Sequence, residues 1–259
     1  MGNLEKDPPI HTASEPHGNR SIAAELSVLS GRLAAMGGLA EAQLADAVEA
    51  LATRDSEMAA HVIACDEAID DLETEVNARA RRLLTLHAPV AADLREIVAA
   101  LKISSNVERI GDYAANVAKR CVIVNEYPAV PALGGVIELG HLVRQYVQNT
   151  LDAYAERDLN KAEAVWRGDA DIDALHTSVF QNLLSDMLVE SDHVLACTHL
   201  MFAIKNFERI GDHATNIAET IQFLVAGTHT IEKRPKRPTT SAAAPAAHST
   251  SESVPGEYR

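Results

Sequence analysis

Eight carboxylates are the side chains in this chain best spaced to do chemistry: Asp66, Asp70, Glu108 and Asp112 in one half, and Asp169, Asp173, Glu208 and Asp212 in the other. In each half they form two pairs spaced i, i+4, which a helix places on one face, one turn apart. Where the two helices are antiparallel neighbours, the four carboxylates converge. With little imidazole among them, such a site is rich in oxygen and suits Mg²⁺, Mn²⁺, Ca²⁺ or iron. The competing reading is a solvated acidic face that holds no ligand and carries a few tenths of a kcal/mol of repulsion per stacked pair.

The repetition favours chemistry. Residues 106–118 read NVERIGDYAANVA and residues 206–218 read NFERIGDHATNIA, identical at nine of thirteen positions. A period near 100 residues carried by polar side chains points to a duplicated unit. Glu108, Asp112 and Asn116 lie at i, i+4, i+8 and form a stripe set apart from the apolar seam of Ile103, Val107, Ile110, Ala114, Val117 and Cys121. That stripe is expected to face outward or along a groove edge. Gly111 and Gly211 each cost about 0.5–1 kcal/mol inside a helix. They are read as openings for a metal cluster or a partner, so that alanine there should stabilise the fold.

The elements that must position these residues are helices. Apolar residues make up 47% and aromatic ones 4% of the chain, which suits helical bundles. The spacing predicts a helix from Ile22 to about Thr53, bent near Gly31, Gly37 and Gly38. A second, capped by Asp55, runs to about Leu86, and a third covers about 90–123 with Pro89 at its first turn. The plan recurs at an offset of 103, then 100, and ends near Gly227, with Asp192 as the expected cap of the last helix. The division expected is a disordered lead over 1–20, three-helix repeats over 21–124 and 136–228 with a linker over 125–135, and a disordered low-complexity tail over 229–259. The fold class is all-α: two tandem, homologous three-helix bundles, elongated, with helices of roughly 45 Å.

Charge narrows the partners. The net charge is −14; the tail from 233 holds five basic and two acidic residues and the lead two and three, which leaves −16 between them. Such a core repels nucleic acid and anionic lipid and attracts cations or basic protein surfaces. Cys65, Cys121 and Cys197 are far apart and read as buried apolar residues in a reducing compartment. No apolar run approaches a membrane span and the first residues do not resemble a signal peptide, so a cytoplasmic protein is expected.

Catalysis finds no candidate residues: there is no glycine-rich phosphate loop and no Ser/His/Asp set. The alternative enzyme reading is a ferritin-like di-metal protein, which needs two Glu-x-x-His motifs. Glu138-x-x-His141 and Glu190-x-x-His193 occur, but without counterparts in the first half. His213 could extend the second acidic site. Arg109 and Arg209 are read as helix-surface partners of the stripe, and KRPKR at 233–237 as a solvated tail.

At the doubled ERIGD stretch the chain resembles the PhoU-like regulators of phosphate uptake, over about residues 22–228. The resemblance implies a cytosolic, often dimeric regulator that is not an enzyme and touches membranes only through its partners. Those partners would be the phosphate ABC transporter (its ATPase subunit) and the phosphate-starvation sensor histidine kinase. It also implies metal clusters on the acidic motifs, which correspond here to Glu108, Asp112, Glu208 and Asp212. Asp66, Asp70, Asp169 and Asp173 extend that set by geometry alone. The expected cofactors are divalent or trivalent metal ions: iron, zinc, manganese, magnesium or calcium.

Overall fold

The computed structural model describes residues 17–227. The expected disorder of the lead and tail, and the basic KRPKR segment, fall outside these residues, except that 17–20 are already helical. The first half consists of α1 (His17–Thr53), α2 (Ser56–Ala64), α3 (Asp66–His87) and α4 (Ala91–Val124). The second consists of α5 (Leu133–Glu156), α6 (Leu159–Val189) and α7 (Val194–Ala226), with one 3₁₀ turn at Ser191–His193.

Each half turns from its first to its second helix in the same way. Arg54 and Arg157 adopt left-handed backbone, with φ of 57° and 55°, and the following aspartate caps the next helix. Asp55 Oδ1 accepts the amides of Glu57 and Met58 at 2.9 and 3.0 Å, and Asp158 Oδ1 accepts those of Asn160 and Lys161 at 2.8 and 3.3 Å. These carboxylates satisfy amides that have no partner within the helix. Arg54 also donates to the carbonyls of Val124, Asn125 and Tyr127, closing the negative end of α4.

Three helix boundaries differ from expectation. First, α1 is continuous across Gly31, Gly37 and Gly38. Gly37 instead gives close approach: a Cβ there would lie 2.7 Å from Leu151 on α5, and one at its counterpart Gly140 would lie 2.8 Å from Val48 on α1. The two contacts are reciprocal: each helix receives a branched side chain of the other over its glycine. Second, the second helix of the first half breaks at Cys65, whereas α6 runs unbroken. Third, Asp192 lies within the 3₁₀ turn, and His193 occupies the cap position of α7 without a side-chain bond.

A buried glutamine sits at the break at Cys65. Gln43 of α1 is 4% exposed, and its Nε2 donates to the Val62 carbonyl at 3.1 Å and to Asp66 Oδ1 at 3.3 Å. The second half has Tyr146 in place of Gln43 and Gly168 in place of Cys65. The Tyr146 hydroxyl lies so close over α6 that a Cβ on residue 168 would sit 2.0 Å from it.

The halves share one core. The antiparallel helices α4 and α7 form the most extensive helix–helix contact, and buried residues of both halves belong to one apolar cluster. Cys121 and Cys197 are buried in it as expected, while Cys65 is half-buried with its Sγ 3.5 Å from His61 Nε2. Among the described residues one helix, Ile22–Thr53, is long and apolar enough to cross a membrane. This qualifies the sequence reading, which found no such stretch. Much of its apolar surface, including Leu29, Leu33, Met36 and Leu44, is buried within the core.

Gly111 and Gly211 are packing residues, which corrects the reading of them as openings for a ligand. Both are buried, and an added Cβ would meet Ile69 Cδ1 at 2.9 Å and Ile172 Cδ1 at 2.8 Å respectively. Gly111→Ala and Gly211→Ala are therefore expected to lose stability, by about 1–3 kcal/mol for an overpacked helix contact. Denaturant unfolding checks this, and a gain in either variant would refute the packing role.

Candidate functional site

The second and third helices of the first half bring their carboxylates within electrostatic reach. Asp66, Asp70 and Glu73 lie along α3, and Glu108 and Asp112 along α4. Burial pushes the Glu108 carboxyl up to about 7, aided by the charges of Asp112, Glu73 and Asp70 and opposed by Arg109. Burial also raises Asp66, with Asp112 and Asp70 adding to it, while the Gln43 hydrogen bond and Lys119 oppose it. In both groups burial is the main cause, and the neighbouring carboxylates add to it. Glu73 and Gln43 were missed in the sequence. Glu73 continues the Asp66/Asp70 spacing at i+7, which was a usable signal; Gln43, one of many polar residues on α1 but buried, offered none.

Arg109 covers this cluster from the solvent side. Its Nε lies 3.2 Å from Glu108 Oε2 and its Nη1 lies 2.9 Å from Asp112 Oδ2, with the side chain 53% exposed. Glu108 itself is more enclosed, its side chain 15% exposed. The stripe is therefore half-buried at a groove edge and does not project fully into solvent.

The second half places the same residue types differently. Glu208 pairs with Lys205, and burial lowers the pKa of His176, which stands where the first half has Glu73 and which feels Glu208. Asp169 is buried and accepts from Thr215 Oγ1 at 3.4 Å. Asp173 and Asp212 also have interaction partners. Among the described residues, no three His, Cys, Asp or Glu side chains are grouped closely enough to hold a metal ion as they stand. Proximity is achieved in the first cluster, whereas coordination would need side-chain rotation.

Much of the repeated polar motif joins the halves. Asn106 Oδ1 accepts from Asn216 Nδ2 at 3.3 Å and from His213 Nδ1 at 2.8 Å, an oxygen acceptor that requires the hydrogen on Nδ1. His213 stacks on Tyr113 with ring centroids 5.6 Å apart, and Arg209 Nη1 donates to the Tyr113 hydroxyl at 3.1 Å. His213 thus joins α7 to α4 through Nδ1 and its ring face. Arg209 departs likewise from a role confined to its own helix. An open groove of about 470 Å³ between α4 and α7 is lined by Lys102, Ser105, Asn106, Asn216, Glu219 and Thr220.

The ferritin-like alternative finds no support. Glu138 and His141 are exposed on α5, and His193 Nε2 pairs with Glu190 at 3.3 Å in the turn before α7. The two histidines do not face one interior cavity.

The PhoU domain family model matches residues 33–121 and 136–221. The chain is 45% identical over 221 residues to the phosphate-specific transport system accessory protein PhoU homolog of Caulobacter vibrioides, covering 85% of this chain and 96% of that one. The homolog of the same name from Xylella fastidiosa is 42% identical over 232 residues, covering 90% and 98%. Among solved structures, PhoU from Pseudomonas aeruginosa superposes with a TM-score of 0.77 at 36% identity, covering 80% of this chain and 99% of that one. The two matched segments carry the two ERIGD stretches, and on these grounds the chain belongs to the PhoU family.

Proposed function

We propose that this protein is a cytoplasmic negative regulator of phosphate uptake and phosphate-starvation signalling that works by binding. The observation that carries the reading is its similarity, over nearly their whole length, to accessory proteins of phosphate-specific transport. Its partners are the ATPase subunit of the phosphate ABC transporter and the sensor histidine kinase, and it reaches the membrane through them. A homodimer is the expected assembly. A protein with no catalytic set acts by shifting the populations of its partners' states.

The acidic stripes are proposed to hold divalent or trivalent cations, with iron, zinc, manganese, magnesium and calcium as candidates. The support for this reading is that four carboxylates of the first half lie within electrostatic reach of one another, with Glu108 raised to about 7 by burial first and by Asp112, Glu73 and Asp70 after it. Asp66, Asp70, Glu108 and Asp112 would hold one ion, and Asp169, Asp173, Glu208 and Asp212 another. A bound cation would neutralise the stripe and stiffen the face offered to a partner.

Deleting the protein from its host is expected to derepress phosphate uptake and phosphate-starvation genes in phosphate-rich medium. Replacing both stripes should mimic deletion, and truncation after Glu232 should leave repression largely intact. Normal repression in the deletion strain would dismiss the regulator. Full repression by the stripe variant would keep the regulator and return the carboxylates to solvated surface.

A further inference from the structure

The tip of the first hairpin is apolar, exposed and strained. From Leu83 to Ala92 the sequence carries no Asp, Glu, Lys or Arg. Here α3 gives way to α4, and Leu84, Leu86, Val90 and Leu94 are exposed, Leu86 at 60% and Val90 at 74%. Ala88 and Ala91 both adopt left-handed backbone, with φ of 43° and 46°. Residues with a Cβ avoid that region, and such strain gathers at binding surfaces.

Behind the tip stands a collar of bases. Between 79 and 95 the chain holds four arginines and one aspartate. Arg79, Arg81 and Arg82 lie roughly 6–10 Å back from Leu86 along α3. Arg79 is held by Glu75 at 2.8 Å and Arg82 stands 4.0 Å from Glu25, while Arg81 is exposed. On α4, Arg95 Nη1 lies 3.7 Å from the place a Cβ on Gly227 would take, so α7 ends at the same level. KRPKR at 233–237 begins six positions after Gly227. Six residues reach at most about 20 Å, which tethers that segment near the collar.

We propose that the α3–α4 tip docks directly on an anionic lipid bilayer, with Leu86 and Val90 entering the headgroup boundary and the arginines meeting lipid phosphates. This goes beyond membrane contact made through partners. Apolar residues ahead of bases match the order of layers at a bilayer surface, where apolar groups enter about 5–10 Å deep. A protruding turn needs a matching cavity in a protein partner, and a fluid bilayer yields to it. The net charge of −14 does not prevent the contact. At physiological salt, charges farther than about 8 Å are largely screened, so the collar governs what the tip meets.

The other hairpin tip supplies the contrast. Because α4 and α7 are antiparallel, with Lys102 over Phe223 at one end and Arg120 over Phe202 at the other, the α6–α7 tip lies at the opposite end of the pair. Leu188 and Val189 are exposed there, at 89% and 77%. Their surroundings are acidic: Asp186, Glu190 and Asp192 flank them, and no Lys or Arg occurs from 168 to 204. The tips are alike in apolar exposure and opposite in charge, and only the first suits anionic lipid.

The test is flotation of the full-length protein with two kinds of vesicle, without partner proteins. One kind is pure phosphatidylcholine, and the other mixes it equally with phosphatidylglycerol. Binding to the mixed vesicles is expected to exceed binding to the neutral ones at least about 10-fold, and to fall as salt is raised. Leu86→Glu with Val90→Glu should weaken it at least about 10-fold, because apolar contact is lost and like charge added. Arg81→Gln with Arg82→Gln should weaken it about 10-fold and leave binding to neutral vesicles unchanged, and this pair decides if the glutamates disturb folding. Leu188→Glu with Val189→Glu, at the far end, should change it less than about twofold. No binding to the mixed vesicles, or equal binding to both kinds, would overturn the proposal. Binding that truncation after Glu232 abolishes and the tip variants leave intact would assign the lipid to the tail, and overturns it too. So would tip variants that weaken self-association in sedimentation velocity when the parent binds no vesicles, since the tip then meets the acidic end of a second copy. Repression through partners is judged separately, by the deletion strain.

Discussion

Phe207→Ala is expected to lower the unfolding free energy by about 3–5 kcal/mol, the range for removing a fully buried ring. Phe207 is 0% exposed and heads the largest fully buried side chains. It occupies in the second half the place that Val107 holds in the first. Its extra volume is admitted by Gly140, where an added Cβ would lie 2.9 Å from the ring's Cζ. The ring therefore joins α7 to α5 near the crossing with α1, and its loss leaves a cavity bordered by all three helices. Denaturant unfolding should give a lower midpoint at unchanged m-value. A loss under about 1 kcal/mol would mean that the helices collapse onto the space, contrary to close packing around Gly140.

The second large effect is a reversal of pH dependence by cations. Without metal, Glu108 has a folded pKa of about 7 against an ordinary 4.5. The folded state then binds the proton more tightly than the unfolded state. Its contribution is fully present below about 4.5 and is lost as pH rises through about 7. Discounted for solvent screening around this half-open group, that slope is on the order of 1 kcal/mol. A bound cation needs the ionised carboxylate, so its stabilisation appears as pH rises and disappears as pH falls. At a hundredfold excess over Kd it is about 2.7 kcal/mol per site and outweighs the apo slope. Thermal melts from pH 5 to 8, with and without Mn²⁺, should therefore slope in opposite directions, and Glu108→Gln should flatten both. Parallel slopes would refute a cation at Glu108.

Some of this protein was legible residue by residue. Asp55 and Asp158 cap helices because a carboxylate following an αL residue can reach two open amides, a local event that neighbouring sequence controls. The doubled ERIGD marked two related units, because nine identities in thirteen positions, most of them polar, do not follow from amphipathic periodicity alone. The apolar seam around Ile103, Val107 and Ile110 is buried as its 3.6-residue period requires.

Other features depend on residues distant in sequence. Gly111 and Gly211 looked costly on their own helices, and only Ile69 and Ile172 arriving from the neighbouring helix explain them. His213 is oriented by Asn106, 107 positions away, through its Nδ1. Beside the break at Cys65, Gln43 arrives from another helix and takes the Val62 carbonyl and Asp66 as acceptors. The sequence alone therefore determined the helices, their caps, the duplication and which carboxylates share a face, because these follow from local geometry and periodicity. Tertiary structure decided how those carboxylates are compensated. Lys205 and Thr215 reach Glu208 and Asp169, while Arg109 pairs with Glu108 and Asp112 and Gln43 donates to Asp66, so two nearly identical motifs carry different electrostatics.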